Sequence, residues 1–524
     1  MKRIYFFIYN LILYISLPFF LISMLFLYLI KNKHASGFFY KLMPYLYLSY
    51  IGFAKNNKNN NKKSKSLWIH AVSVGEVNAS FYFINLLLNR INNNINNNEK
   101  QKKIYLSVVT RTGYENAIKK FKGMPIFVIY FPYDFLFSVK NFINLINPIC
   151  FISIETEIWP NLFNKLKKTD IPIFILNARL SDKSFRNYYK FKFFFRYIFE
   201  CIDLVACISK NYYNKFLDLG ISKDKLYITG NMKFDTAQKE EIEKLKIEGI
   251  KYKDAIINNS ICRYNGGIND NIKSHSANQL NNYIAKIIIA GSTHEREEQI
   301  ILDVFLKLVK NIDDSNYDYN HNHNHNIKLY LIIAPRHPER FQYVSELIKK
   351  YKLDYVKISS LVFNQSIIEA NHNMAVCENN NDNNECSFKN ETSLKLRYYN
   401  SNIILIDKMG ILNSLYSIAD IAFIGGSMVP PGGGHNMLEP LSFGVPVIFG
   451  NFVENFQQIA DEIISSGAGV MAANPKELFN AIYTFINNEK KSSEASIEAL
   501  KIIERNQGSS FKNLNLLINF GNII

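Results

Sequence analysis

The 524-residue sequence lacks most of the signatures that would place it in a metal-, disulfide- or nucleic-acid-based class. Its six cysteines, Cys150, Cys201, Cys207, Cys262, Cys377 and Cys386, form no C-x-x-C pair, which excludes a structural zinc ribbon and fits a reducing compartment without a disulfide framework. No Asp-x-Asp motif marks a place for a divalent cation. Acids are the scarcer charge: 45 Asp and Glu stand against 61 Lys and Arg, a formal net charge of +16. That excess suits an anionic surface, and without a recognition-helix or zinc-finger pattern anionic lipid is a better match than nucleic acid. Charged residues make up only 20% of the chain and hydrophobic ones 48%, the balance of globular domains, and the length allows two or three full cores.

Charge is missing altogether from Ile4 to Ile30, a run flanked by Lys2-Arg3 and by Lys31 and Lys33. About 20 apolar residues cross a bilayer, and this run is too long for a secretory signal and has no small-residue cleavage site after it. It reads as a retained anchor, residues 1–33. Positive charge on both flanks leaves its orientation open, and Asn10 and Pro18 leave a shallow, membrane-associated helix open as well.

After an Asn/Lys tract at 56–65, apolar strand patterns alternate with helical ones. Strands are expected at Leu67–Val72, Ile104–Thr110, Ile126–Tyr130, Cys150–Ile154, Ile171–Leu176 and Leu204–Ile208. A second alternation has strands at Lys286–Ala290, Leu329–Ala334, Ile403–Ile406, Ile421–Ile424 and Pro446–Phe449. Such alternation predicts an α/β protein with two parallel sheets. The expected domains are 34–230 and 231–500, followed by a helical tail at 501–524. Three Asn-rich segments, 250–283, 311–326 and 371–400, read as disordered insertions into the second domain, and the alternating His321, His323 and His325 as a drifting low-complexity tract.

The most informative stretch is Ile424–Asn451, IGGSMVPPGGGHNMLEPLSFGVPVIFGN. A strand leads into Gly425, Gly426, Gly432, Gly433 and Gly434, then into a helical pattern at Asn436–Phe443, which predicts backbone N–H groups aimed at a phosphate. Glu439 falls in the first turn, where a carboxylate can reach ribose hydroxyls. Arg336, in the APRHPER run after another strand, is suited to bidentate phosphate binding, with Lys233 approaching the same charge. Arginine, lysine and the helix start must then offset the leaving-group charge.

In the first domain Glu76 lies at a strand-to-helix turn beside Gly75. Ser73-x-x-Glu76 also matches a capping box, so spacing leaves Glu76 as either helix cap or general base. Arg111 and Thr112, at the next strand end, are placed to hold an acceptor phosphate, or form an ordinary turn. Glu155 and Glu157 stand beside Trp159 at a third strand end, able to orient an acceptor. Between Arg179 and Arg196, basic residues interleave with aromatics, which fits either anionic lipid or a core-packing amphipathic helix.

Taken together, these motifs resemble those of the 3-deoxy-D-manno-octulosonic acid (Kdo) transferase family. The matching segments are the apolar N-terminus, WIHAVSVGE, TRTGYENA, ETEIWPN, NARLSDKSF, GNMKFD, AGSTHEREE, APRHPERF and GGHNMLEP, in one order over nearly the whole chain outside the Asn-rich insertions. The resemblance implies a GT-B fold, with two Rossmann-like domains facing a cleft and an N-terminal membrane-anchor helix. It implies inverting, metal-independent transfer from CMP-Kdo to a lipid A precursor at the cytoplasmic face of the inner membrane, with no cofactor and no nucleic acid. It moves Glu76 from cap toward general base. Arg336, Ser427, Gly433, Gly434, Asn436 and Glu439 fall on motifs the family uses for the cytidine phosphate and ribose, joined on the donor side by Lys233, Ser292 and His337. The acceptor-side set is Ser73, Gly75, Arg111, Thr112, Glu155 and Arg179. Pro431 and Gly432 depart from the family pattern by reshaping the loop before Gly433. The rival readings are a GT-B enzyme for another activated sugar and a non-catalytic nucleotide-sugar-binding protein.

Overall fold

The strand-forming runs are apolar on both faces, which only a sheet covered by helices on both sides can satisfy. The computed structural model describes residues 2–31, 38–43, 65–93, 102–236, 239–264, 283–316, 326–361 and 402–520. It divides into two compact units, Met1–Thr236 with Asn506–Ile524, and Ala237–Arg505.

The first unit holds a seven-stranded parallel sheet of β1 (Ser66–Ala71), β2 (Lys103–Val108), β3 (Ile126–Tyr130), β4 (Pro148–Ile154), β5 (Ile173–Ala178), β6 (Leu204–Cys207) and β7 (Leu226–Ile228). The order is β3-β2-β1-β4-β5-β6-β7, so the winding reverses between β1 and β4. β1 is buried along its whole length, and Trp68 at its centre packs against Phe142, tilted, and Phe151, edge to face, with centroids 4.7 Å away in each case. Cys150, Cys201 and Cys207 are free thiols buried in this unit.

The second unit repeats the plan with β8 (Tyr283–Thr293), β9 (Asn326–Pro335), β10 (Tyr355–Lys357), β11 (Ile403–Leu405), β12 (Ile421–Ile424), β13 (Val447–Phe449) and β14 (Gly469–Met471). Its order, β10-β11-β9-β8-β12-β13-β14, is again all parallel and reverses between β8 and β12. The α/β expectation of two parallel sheets is met. The strands that periodicity missed, β7, β10 and β14, lie at sheet edges and bury only one of their three residues each, so no apolar run marks them, whereas the equally short β11 and β13 are buried throughout.

Two segments differ from expectation. The helix Lys239–Tyr264 runs well past residue 250, because Tyr252, Ala255 and Ile256 repeat at helical spacing and are buried. The Asn-rich segments at 265–282, 317–325, with His321, His323 and His325, and 371–400 lie outside the described residues. The C-terminal helix Ser509–Asn519 returns to the first unit, where Leu514 and Leu517 join its core and the Asp235 carboxylate accepts the Gly508 and Ser510 N–H groups at 2.7 and 2.6 Å.

The N-terminal helix, Lys2–Lys31, contains a segment, Arg3–Ser23, long and apolar enough to cross a membrane. It does not stand free of the first unit. Tyr5 and Phe6 are buried in the core, Tyr5 against Phe194 with centroids 3.9 Å apart, and Leu13, Leu17 and Phe20 pack on Leu42 and Phe135. The opposite stripe, including Ile4, Phe7, Ile8, Ile12, Ile15, Phe19 and Ile22, is exposed.

Candidate active site

In open parallel sheets, loops at the carboxyl ends of strands diverge where the winding reverses, leaving a crevice. The first reversal lies between the loops that follow β1 and β4. Those loops carry Glu76 and Glu155. The second lies between the loops that follow β8 and β12, which carry His294 and the glycine-rich stretch. Both candidate regions therefore sit where parallel topology opens a binding site.

In the first unit, the helix Val74–Asn93 begins directly after β1 and carries Glu76 in its first turn. Val72 donates its backbone N–H to one Glu76 oxygen, and the Ser73 hydroxyl donates to the other at 3.3 Å. Glu76 thus braces the turn that leads into its own helix, without the reciprocal pair of bonds that defines a capping box. Burial raises the Glu76 carboxyl to about 7, and the negative charge of Glu155 pushes the same way. A group half ionised near neutrality can accept a proton as well as brace that turn.

Glu155 is nearly buried and holds a left-handed backbone, φ 65°, that non-glycine residues adopt only where surrounding contacts impose it. Arg179 Nε donates to its Oε2 at 2.7 Å, and Lys233 Nζ lies 3.6 Å from Oε1. Burial pushes the Lys233 ammonium below its usual range and the Glu155 charge pulls it back. Lys233, expected on the donor side, thus joins Glu155 and Arg179 in the first unit. Glu157 is also raised to about 7, by burial and then by the Glu155 charge. The result is a compact group of three carboxyls and two cations, with Trp159 beside it on Phe131 at 5.0 Å.

Gly113 explains why the β1 and β2 loops meet: a Cβ there would stand 3.2 Å from the Ser73 carbonyl carbon and 2.7 Å from Thr110 Oγ1. Thr110 caps the helix Arg111–Lys120 by accepting the Gly113 N–H. Arg111 and Thr112 open that helix, and the exposed Arg111 pairs with Glu115 at 2.7 Å. Gly75 is exposed beside Ser73. Beside this region His70, fully buried in β1, bonds through Nδ1 to the Ser107 carbonyl oxygen at 3.1 Å. Its Nδ1 therefore carries the hydrogen, and burial lowers the ring to about 3, so it stays neutral.

In the second unit the glycine-rich loop differs from expectation in two ways. The helix expected over Asn436–Phe443 is the single turn Leu438–Leu441, too short to contribute an appreciable dipole. The N–H groups of Gly426, Ser427 and Met428 are already bound, at 2.8, 3.0 and 2.9 Å, by the buried carboxylate of Glu297, which also accepts from His294 N at 2.9 Å. An internal carboxylate fills the cradle that the glycines suggested for phosphate. Ser427 is buried, its hydroxyl accepting from Gly450 N at 2.8 Å. Gly433 and Gly434 also use their N–H groups within the loop, toward Phe452 and Gly426 carbonyls at 3.2 and 2.8 Å.

Around this core stand the groups that remain accessible. Arg336 and His337 are exposed after β9, with the Arg336 N–H bonded to the Thr293 carbonyl at 3.0 Å. Ser292 sits at the end of β8 with φ 57°. Asn436 Nδ2 donates to Glu439 Oε1 at 3.0 Å, orienting that carboxylate. His294 and His435 approach through their Nε2 atoms at 2.7 Å, so one donates and the other accepts. Burial holds His435 down at about 3, and Arg336 acts in the same direction. His294 is lowered too, chiefly by burial. Glycine at 426, with φ 64°, makes room for this pair, since a Cβ there would meet the His435 ring at 2.9 Å.

Sequence reasoning assigned neither Glu297 nor the His294–His435 pair to the site. The acids in HEREE look like ordinary helix-start residues, and nothing local signals that Glu297 turns inward. Among the described residues no group of three or more His, Cys, Asp or Glu is arranged to hold a metal ion.

The two parallel α/β units, one with an acid-rich group and one with a glycine-lined group at its switch point, are Rossmann-like units of the GT-B class. The family model described as 3-Deoxy-D-manno-octulosonic-acid transferase (kdotransferase) matches residues 49–236. A 3-deoxy-D-manno-octulosonic acid transferase of Haemophilus influenzae is 30% identical over 86% of this chain and 86% of its own length. A bifunctional glycosyltransferase/methyltransferase of Fusobacterium nucleatum is 34% identical over 83% of this chain, which spans only 54% of that relative. Among solved structures, the C-terminal CMP-Kdo binding domain of WaaA from Acinetobacter baumannii is 25% identical, covering 44% of this chain and 94% of its own, with a TM-score of 0.31. The chain belongs to the Kdo transferase family.

Proposed function

We propose that this protein transfers Kdo from CMP-Kdo to a hydroxyl of a lipid A precursor at the cytoplasmic surface of the inner membrane. Glu76 takes the proton of the attacking hydroxyl. The hydroxyl oxygen forms the new bond to the anomeric carbon of Kdo as the bond to the CMP phosphate breaks, and CMP leaves with the electron pair. Displacement in one step inverts the anomeric centre. In this reading Arg336 offsets the leaving-group charge without a metal, and Glu439, held by Asn436, meets the ribose. Glu155, Arg179 and Lys233 with Ser73, Gly75, Arg111 and Thr112 form the acceptor side.

The observation that carries this reading is the place of Glu76, in the first turn after β1 at the switch point of a chain in the Kdo transferase family, where burial and the Glu155 charge raise its carboxyl to about 7. A cap alone has no need of a neighbouring carboxylate that opposes its ionisation. The N-terminal helix supports the membrane location, with one stripe docked on the protein and the other apolar and exposed. That geometry favours a helix lying along the lipid surface over one standing through the bilayer.

The test is transfer from freshly generated CMP-Kdo to a tetra-acylated lipid A precursor, read by product mass, with wild type beside Glu76→Gln. Product from wild type, and none from a variant that still binds CMP, supports substrate and base together. A wild type that binds another nucleotide and transfers no Kdo would sink the donor assignment.

A further inference from the structure

An anchor needs only apolar surface, yet the N-terminal helix carries Tyr9 and Asn10 in its docked part. Asn10 is bonded to the start of the helix that follows the acceptor-side loop, and Tyr9 to the carboxylate that caps that helix. Asn10 Nδ2 donates to the Phe6 carbonyl at 2.7 Å and to Asn161 Oδ1 at 2.9 Å, and Asn161 Nδ2 donates back to Asn10 Oδ1 at 2.8 Å. Asn161 Nδ2 also donates to the Asp134 carbonyl at 2.6 Å. The Tyr9 hydroxyl donates to Asp134 Oδ2 at 3.0 Å.

Asp134 and Asn161 are not peripheral. The helix Pro160–Lys168 follows the Glu155–Trp159 loop, and its N-cap residue, Trp159, supplies no side-chain cap. The cap comes instead from Asp134, whose carboxylate accepts the Asn161 N–H at 2.9 Å and the Leu162 N–H at 2.8 Å. Asn161 is fully buried and Asp134 nearly so. An uncapped helix start frays, and here the fraying end is the downstream anchor of the loop holding Glu155, Glu157 and Trp159. The upstream anchor is β4. The direction of that loop therefore depends on Asp134 and Asn161, and their remaining hydrogen bonds end on the N-terminal helix.

We propose that Tyr9 and Asn10 are positioning residues of the acceptor site, making the N-terminal helix a structural part of that site as well as its attachment to lipid. When the helix is seated, Tyr9 fixes the capping carboxylate of Asp134 and Asn10 fixes the Asn161 amide. The helix start is then rigid and Glu155 is held against Arg179. When the helix is displaced, the Asn161 amide loses both bonds to Asn10, and the loop gains freedom. The proposal rests on reading the Glu155–Trp159 loop as the acceptor side.

The experiment compares wild type with Asn10→Leu and Tyr9→Phe in the full chain, in phospholipid vesicles and in detergent micelles. Asn10→Leu is informative because it makes the helix more apolar, so lipid attachment holds or strengthens while the amide pair is lost. Tyr9→Phe removes a single hydroxyl and is the milder change. Three quantities are read: vesicle binding, amide hydrogen exchange over 155–164, and the KM for lipid acceptor against that for CMP-Kdo. The expected result for Asn10→Leu is exchange faster by roughly tenfold at the start of the Pro160–Lys168 helix, as befits two lost buried hydrogen bonds. Acceptor KM should rise by a similar factor, donor KM should stay within about twofold, and vesicle binding should not fall. Tyr9→Phe should give a smaller change of the same kind. Unchanged exchange in both variants overturns the proposal and leaves the helix an anchor only. Faster exchange with unaltered acceptor kinetics instead overturns the acceptor role of the loop, while the coupling itself stands.

Discussion

Gly426 donates its backbone N–H to the carboxylate of Glu297 at 2.8 Å, across 129 positions of sequence. The same carboxylate takes three further N–H groups, from Ser427, Met428 and His294. Glu297→Ala would leave four donors in the loop without an acceptor, a loss on the order of 3 kcal/mol or more in the second unit. Both tryptophans of the chain, Trp68 and Trp159, lie in the first unit, so their fluorescence serves as an internal control. Amide exchange in β8 and β12 should accelerate while that fluorescence transition stays in place. Glu297→Gln should fall between the two, because only one of its side-chain atoms accepts.

Transfer should show an acid limb set by Glu76. A general base works when deprotonated, so the rate should rise as pH increases through about 7, the value to which burial and the Glu155 charge raise this carboxyl. Glu155→Gln removes the negative neighbour and frees Lys233 and Arg179 from their partner. Both changes favour ionised Glu76, and the limb should move to lower pH. A limb that stays in place would show that Glu76 does not set it.

Arg336→Ala should weaken donor binding roughly tenfold to a hundredfold, the worth of charge-assisted bonds to a phosphate, with acceptor KM unaffected. Arg336→Lys should recover part of that loss, since a lysine keeps the charge but not the fork. Calorimetry with CMP, on protein whose thermal midpoint is unchanged, separates this from instability.

Membrane attachment should depend on the exposed stripe of the N-terminal helix. Phe7 and Ile15 are 68% and 60% exposed, so replacing them by serine costs the fold little. If they enter lipid, each contributes on the order of 1.5 kcal/mol, and the double variant should bind anionic vesicles at least roughly tenfold less in a sedimentation assay. Equal binding by the double variant would show that another surface meets the lipid.

Much of this protein was legible in its residues. Apolar runs such as Leu67–Ala71 and Ile421–Ile424 announce buried parallel strands because both faces must be covered, and that property is local. The positions of Glu76, Glu155 and Arg336 just beyond strand ends follow from the same alternation. The short edge strands and the inward turn of Glu297 were not legible, since edge strands that bury one residue each form no apolar run and a buried first-turn acid has no periodic signature.

The sequence alone determined the order of strands and helices, the apolar N-terminus and the family motifs, all of which are encoded within windows of a few residues. Tertiary structure decided what those windows meet. It set β1 beside β4, so that Glu76 feels the charge of Glu155, brought Lys233 to Glu155, and filled the glycine loop with Glu297. It also matched Asn10 with Asn161 across 151 positions. Burial and pairing are set by contacts distant in the chain, and charge in a low-dielectric interior acts through space, so no local pattern records them.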